Sequence, residues 1–186
     1  MLKKILIILI ITIIIISTLT TIKISSKNNF IFKKVHNIIN TSNKIIFNKN
    51  LNTDKNIIGK LIIKKLNINE SLYKITSKEN NVEKHITILK ESILPDQDNS
   101  IIFLAAHSGT GKIAYFKDLN NLKINDEIIF YYKNITYKYY VKDIWEEKKN
   151  GFINVNKENT NQLILTTCSP TKNNYQLVIN CIEKKS

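Results

Sequence analysis

From Ile5 to Ile22 the chain runs eighteen residues without a charge, with only Thr and Ser between the apolar side chains. As a helix at about 1.5 Å per residue this run would reach roughly 27 Å, close to the thickness of a bilayer's hydrocarbon core. It therefore divides the chain into a membrane span and a remainder of domain size. A cleaved signal peptide would need a short apolar core and a small-residue cleavage site. Here the core is long and no Ala-x-Ala pattern follows, so the run is read as a retained anchor. The expected organisation is a cytoplasmic tip and transmembrane helix over 1–25, a juxtamembrane linker over 26–56 and one folded domain over 57–186. Lys3 and Lys4 favour an inside amino terminus, whereas Lys23, Lys27, Lys33 and Lys34 lie just beyond the span. Charge alone therefore leaves the orientation open.

The charge balance narrows the partners. The 186 residues carry 28 basic and 15 acidic side chains, a net +13, and every basic residue is Lys. The lysines are spread along the whole chain, with no basic helix and no interleaved aromatic platform. Arg, the group best shaped for bidentate contacts to bases and phosphates, is absent. An anionic envelope surface fits this distribution, and no nucleic-acid partner is expected.

Residues 26–56 are rich in Lys, Asn and Ser and read as a stalk. Beyond Gly59 the pattern changes to short β-branched runs separated by polar turns. Leu61–Ile63, Ile86–Ile88, Ile101–Leu104, Glu127–Tyr132, Ile135–Ile144, Gln162–Thr167 and Tyr175–Ile182 read as strands. Lys133-Asn134 makes a compact break suited to a hairpin, and Ala114–Leu122 reads as a short helix. Strands at this spacing point to a closed barrel or a sandwich. The Tyr-rich pair of runs (Tyr131, Tyr132, Tyr137, Tyr139 and Tyr140) reads as barrel wall rather than ligand platform.

Two cysteines invite a disulfide. Cys168 ends one expected strand and Cys181 lies deep in the next, an offset too large for a bridge at about 3.3 Å per residue. Cys168 closes Leu163-Ile164-Leu165-Thr166-Thr167 and is followed by Ser169-Pro170, which ends the strand. His107 likewise follows a strand and the small pair Ala105-Ala106, and opens the loop Ser108-Gly109-Thr110-Gly111. A Cys and a His at strand ends, 61 residues apart, are the parts of a cysteine acyl-transferase. His36 and His85 lie in the stalk and in an ordinary strand.

These residues resemble a known family. Leu163 to Cys168 is similar to the sortase signature in which Leu-x-Thr-Cys closes the strand bearing the nucleophile, and Leu104-Ala105-Ala106-His107-Ser108-Gly109 is similar to the sortase histidine segment. Phe116-Lys117-Asp118-Leu119, Leu122 to Asp126, Ile58 to Ile63, Leu66-Asn67-Ile68 and Ser92-Ile93-Leu94-Pro95 resemble further family stretches in family order. The resemblance implies an all-β fold, an eight-stranded β-barrel with short helices, behind one N-terminal transmembrane helix. It implies a cysteine transpeptidase that cleaves a Leu-Pro-x-Thr-Gly-like sorting signal through a thioester acyl-enzyme. The expected partners are sorting-signal-bearing surface proteins and an amine acceptor, either a wall precursor or a protein Lys. The expected location is the cell membrane, single-pass, with the catalytic domain outside. Cys168 would be the nucleophile and His107 the acid–base group, with Thr166 and Thr167 beside the substrate.

The pattern departs from the family at one conspicuous place. Sortases carry an Arg on the strand after the nucleophile, and the corresponding position here is Gln176, with Lys172 in the adjacent loop as a second source of charge. A neutral amide lacks both the charge and the fork of a guanidinium. A second family His falls on Ile88, three residues from His85, which is read as an ordinary strand or loop residue. No metal site and no cofactor are expected. The alternative reading is a weak or inactive membrane-tethered relative that binds peptide or scaffolds partners.

Overall fold

The computed structural model describes Lys34 and residues 54–184. The anchor and most of the linker expected from the sequence lie outside the described residues. Among the described residues, no helix is long and apolar enough to cross a membrane.

Eight strands follow in chain order: β1 Ile57–Ile63, β2 Ile68–Tyr73, β3 Thr87–Ile88, β4 Ile101–Ala105, β5 Glu127–Tyr132, β6 Ile135–Lys148, β7 Gln162–Cys168 and β8 Tyr175–Glu183. They form one sheet in the order β2-β1-β5-β6-β8-β7-β4-β3. The edge strands approach one another where the Tyr73 and His85 rings lie 4.6 Å apart, so the sheet curls into a nearly closed barrel. His85 thus serves the seam, packed against the last residue of β2.

Alternation along each strand decides what faces the barrel interior. In β1 the inward positions are Gly59, Leu61 and Ile63, all buried. In β5 and β6, Ile128 lies opposite Tyr139 and Phe130 opposite Tyr137. Tyr137 and Tyr139 belong to the core, with Tyr139 wholly buried. Burial also pushes the Tyr139 hydroxyl far above its ordinary value. The tyrosines are wall, as their spacing suggested. Lys133 and Asn134 both adopt positive φ, 47° and 66°, which is the backbone of a type I′ turn joining β5 to β6.

Strand β7 breaks the alternation. Gln162 through Thr167 are all buried, and only Cys168 emerges. Such two-sided burial marks a strand covered on both faces. Leu163 and Leu165 enter the core. On the other face Gln162 accepts from the Glu158 N–H at 2.9 Å and donates to the Asn156 carbonyl at 3.0 Å. The long connection from β6 to β7 is thereby pinned over the sheet.

The helix expected over Ala114–Leu122 is not formed. The segment is a series of turns ending in a 3-10 helix, Leu119–Asn121. Its amides bond three residues back, as in Lys117 to Ala114 and Leu119 to Phe116, while the Phe116 N–H leaves the segment for the His107 carbonyl at 3.0 Å. Burial of Phe116 and Leu119 in the core and this outward bond outweigh the propensity for a regular helix. Strand β2 stands outside the β-branched runs because polar Asn69, Glu70 and Ser71 separate its buried Ile68 and Leu72.

Candidate active site

Strands β4 and β7 are parallel, and their register is constant: Ile101 faces Gln162, Phe103 faces Ile164 and Ala105 faces Thr166. Parallel pairing puts the carboxyl ends of both strands at one end of the sheet. The register continues past the strands, since the Thr167 hydroxyl donates to the Ala106 carbonyl at 2.7 Å across the same 61-residue separation. His107 and Cys168 share that separation and come next in line. The backbone of His107 is held by the Phe116 N–H, and that of Ser169, just past the thiol, by its own N–H on the Tyr175 carbonyl at 2.9 Å.

Each of the two groups has a charged neighbour. His107 Nε2 lies 3.1 Å from Glu83 Oε1, both side chains being open to solvent. Cys168 is exposed, and its Sγ accepts from Lys149 Nζ at 2.9 Å. Cys181 is free and wholly buried, opposite Leu163 and Val141, whereas Cys168 stands opposite Gln176. The two sulfurs belong to different ends of β7, and there is no disulfide between them. Burial pushes the Cys181 thiol far up, so it is an inert core residue.

Gln176 sits between the two neighbours of β8, opposite Cys168 on one side and Glu147 on the other. Its amide nitrogen donates to Glu147 Oε1 at 2.9 Å and to the Phe152 carbonyl at 2.9 Å. Both amide hydrogens are thus engaged in holding the β6–β7 connection. Lys172 points elsewhere, 3.2 Å from Glu146 Oε2 and with its ammonium 5.3 Å from the centre of the Tyr175 ring. Hydrogen bonds from Ser169 foremost, with Lys172 and Thr171, hold the Glu146 carboxyl below its ordinary value. Thr166 and Thr167 are buried, their hydroxyls donated to the carbonyls of Leu177 and Ala106.

Beside this end of the sheet lies a groove of about 240 Å³ lined by Leu89, Glu91, Phe103, Gly151, Phe152 and Ile153. Phe152 is 73% exposed. Phe152, one of its lining residues, accepts through its carbonyl from Gln176, the residue paired with Cys168. Among the described residues, no group of His, Cys, Asp and Glu is arranged to hold a metal ion.

Sequence reasoning did not single out Lys149 or Glu83. Lys149 is one of many lysines in a run of charge, and its contact to Cys168 depends on β6, β8 and β7 lying side by side. Glu83 meets His107 across a sequence separation of 24 residues that takes in β3 and β4. No local pattern carries either pairing.

The family model of the Sortase domain matches residues 61–183. The chain belongs to the sortase family, a family of cysteine transpeptidases. Its described fold is similar to sortase C1 of Streptococcus agalactiae, with 29% identity, a TM-score of 0.63, and 73% of this chain and 72% of that one covered. It is also similar in fold to a lid mutant of sortase A from Corynebacterium diphtheriae, at 22% identity and a TM-score of 0.62 over 70% of this chain and 71% of that one. Sortase C of Streptococcus pneumoniae gives 23% identity and a TM-score of 0.62, covering 70% of each chain. Among curated proteins, none matches the sequence significantly.

Proposed function

We propose that this chain is a membrane-anchored sortase whose nucleophile is Cys168 and whose acid–base group is His107. The observation that carries the reading is the parallel β4–β7 register, which sends a solvent-exposed thiol and an imidazole to the same end of one sheet while the other cysteine is sealed in the core. Residues 1–25 hold the domain at the outer face of the cell membrane, where sorting-signal-bearing surface proteins and amine acceptors meet.

The chemistry is acyl transfer. Cys168 gives its thiol proton to His107 and its Sγ attacks the Thr carbonyl carbon of a Leu-Pro-x-Thr-Gly-like signal, forming a C–S bond as the carbonyl electron pair moves onto oxygen. The oxyanion collapses and the Thr–Gly C–N bond breaks. His107 gives a proton to the departing Gly amine, leaving a thioester. The acceptor amine then attacks the thioester and loses its proton to His107, and the sulfur departs. The apolar groove beside Phe103 and Phe152 suits the aliphatic part of the signal, since burying one Leu side chain contributes about 1.5–3 kcal/mol.

A non-catalytic peptide-binding module is the second reading, favoured by the absence of Arg and by the engagement of both Gln176 amide hydrogens. The full-length chain in detergent, given a panel of sorting-signal peptides and an amine acceptor, separates the two. Cleavage and transfer that vanish in Cys168→Ala support the enzyme. Peptide binding without any product, equal in wild type and Cys168→Ala, sinks it in favour of the binding module.

A further inference from the structure

Lys149 is the first residue beyond β6, and its backbone is fixed, because its N–H donates to the Asn174 carbonyl at 2.8 Å and so prolongs the β6–β8 ladder. From there the side chain reaches past β8 to the end of β7, where Nζ meets Cys168 Sγ at 2.9 Å. A surface lysine usually turns to a carboxylate or to water. This one has Glu146 and Glu147 as near neighbours in sequence. Glu146 is taken by Ser169, Thr171 and Lys172, and Glu147 by Asn154 and Gln176. With both carboxylates engaged, the Lys149 ammonium is turned to the thiol.

We propose that Lys149 is a catalytic residue of this chain, the cation that holds the Cys168 sulfur as thiolate and then the oxyanion of the tetrahedral intermediate. The second half of the statement rests on the transpeptidase reading given above, whereas the first half does not. A cation beside a thiol favours the thiolate, which is the attacking species. As the sulfur attacks, the thiol proton passes to His107, whose Nε2 lies 3.1 Å from Glu83 Oε1. As Sγ bonds to the carbonyl carbon, the negative charge leaves sulfur for the carbonyl oxygen two bonds away. An ammonium has three donors on a flexible stem and can follow that shift without changing protonation state. No other cation is available from Arg, because the sequence has none, and the Gln176 amide is neutral and already bonded.

Two measurements on the full-length chain test this. The first is the rate of Cys168 alkylation by iodoacetamide at pH 7, read by mass spectrometry, which needs no sorting signal. A unit charge pair in water-like surroundings is worth about fivefold in an equilibrium, so Lys149→Met should alkylate about fivefold more slowly than wild type. Lys149→Arg should stay within about twofold, and so should Lys148→Met, which removes the same charge one residue away. The second is peptide cleavage, where Lys149→Met should lower kcat by about tenfold or more with KM nearly constant. Alkylation of Lys149→Met at the wild-type rate overturns the proposal, as does an equal slowing in Lys148→Met. A wild-type chain that alkylates as expected but cleaves no peptide removes the transpeptidase reading and leaves the thiolate pairing standing.

Discussion

Thr167 donates its hydroxyl to the carbonyl of Ala106 at 2.7 Å, tying the residue before the thiol to the residue before the imidazole. Both residues are buried. The bond lies beyond the paired residues of β4 and β7 and carries their register to the site itself.

Replacing this hydroxyl with a methyl, Thr167→Val, keeps the shape and leaves a buried carbonyl without that donor. The cost of an unpaired buried group is about 1–3 kcal/mol. The denaturation midpoint should fall accordingly. Turnover should fall as well, with KM nearly unchanged, because the loss acts on the relative position of His107 and Cys168. An unchanged midpoint would remove Thr167 as the tie.

Gly59 supplies a second structural prediction. A Cβ built there would lie 2.6 Å from the Tyr131 carbonyl oxygen, and the obstacle is backbone of the neighbouring β5, where Gly59 pairs with Tyr132. Gly59→Ala must therefore push β1 from β5 on the wall opposite the site. Overpacking of this kind costs about 1–3 kcal/mol. Thermal unfolding should reveal the loss, with the Cys168 alkylation rate unaffected. Stability equal to wild type would mean that the strand pair yields more easily than its packing implies.

These two positions show how far pattern carries. The strands with β-branched or aromatic residues at alternate places were legible, and β5 runs from Glu127, one residue before its apolar run, to Tyr132, where that run ends. The Lys133-Asn134 break was legible because it interrupts two Tyr-rich runs, although the positive φ of 47° at Lys133 is not one that Lys favours. His107 and Cys168 stood out because each ends an apolar run with a small-residue or proline stop. Strand β2 was not legible as a run, since Glu70 occupies the position between its two buried apolar residues. Burial raises the Glu70 carboxyl, against the opposing charge of His85 and Lys60. Lys149 and Glu83 were not legible at all. Their partners are set by which strands lie side by side, and a lysine among 28 basic side chains carries no mark of its own.

The loop after β6 should open in acid. Burial works against the Glu147 carboxylate, but hydrogen bonds from the Asn154 side chain, Gln176, the Asn154 N–H and Trp145 outweigh it and hold the carboxyl below the ordinary 4.5. A depressed carboxyl contributes stability that is fully present above its unfolded value and is lost as pH falls through the folded one. Below about pH 4.5 the protection of the Asn154 amide, relative to its intrinsic exchange rate, should fall progressively, while β7 and β8 stay protected. Gln176→Leu should give the same loss of protection already at neutral pH, together with a raised KM for peptide, because Phe152 loses its tether beside the groove. Protection at Asn154 that is indifferent to pH would separate Glu147 from the loop.

Glu83 offers the last prediction, and its exposure sets the size. The Glu83–His107 pair is 3.1 Å long, with side-chain exposures of 67% and 37%. Pairs this open contribute about 0.2–1 kcal/mol, which is at most about a fivefold effect on any step that needs the imidazolium. Glu83→Gln should therefore lower kcat by roughly 1.4- to fivefold with little change in KM. Salt provides the control. At about 0.05 M ionic strength an exposed pair is weakly screened, and near 1 M the screening length falls to about 3 Å. The gap between wild type and Glu83→Gln should narrow over that range. Glu83→Asp should recover part of the loss, limited by the shorter reach of its carboxylate. A gap that persists undiminished at high salt would mean that Glu83 acts by shaping the loop that carries it, and not by its charge on His107.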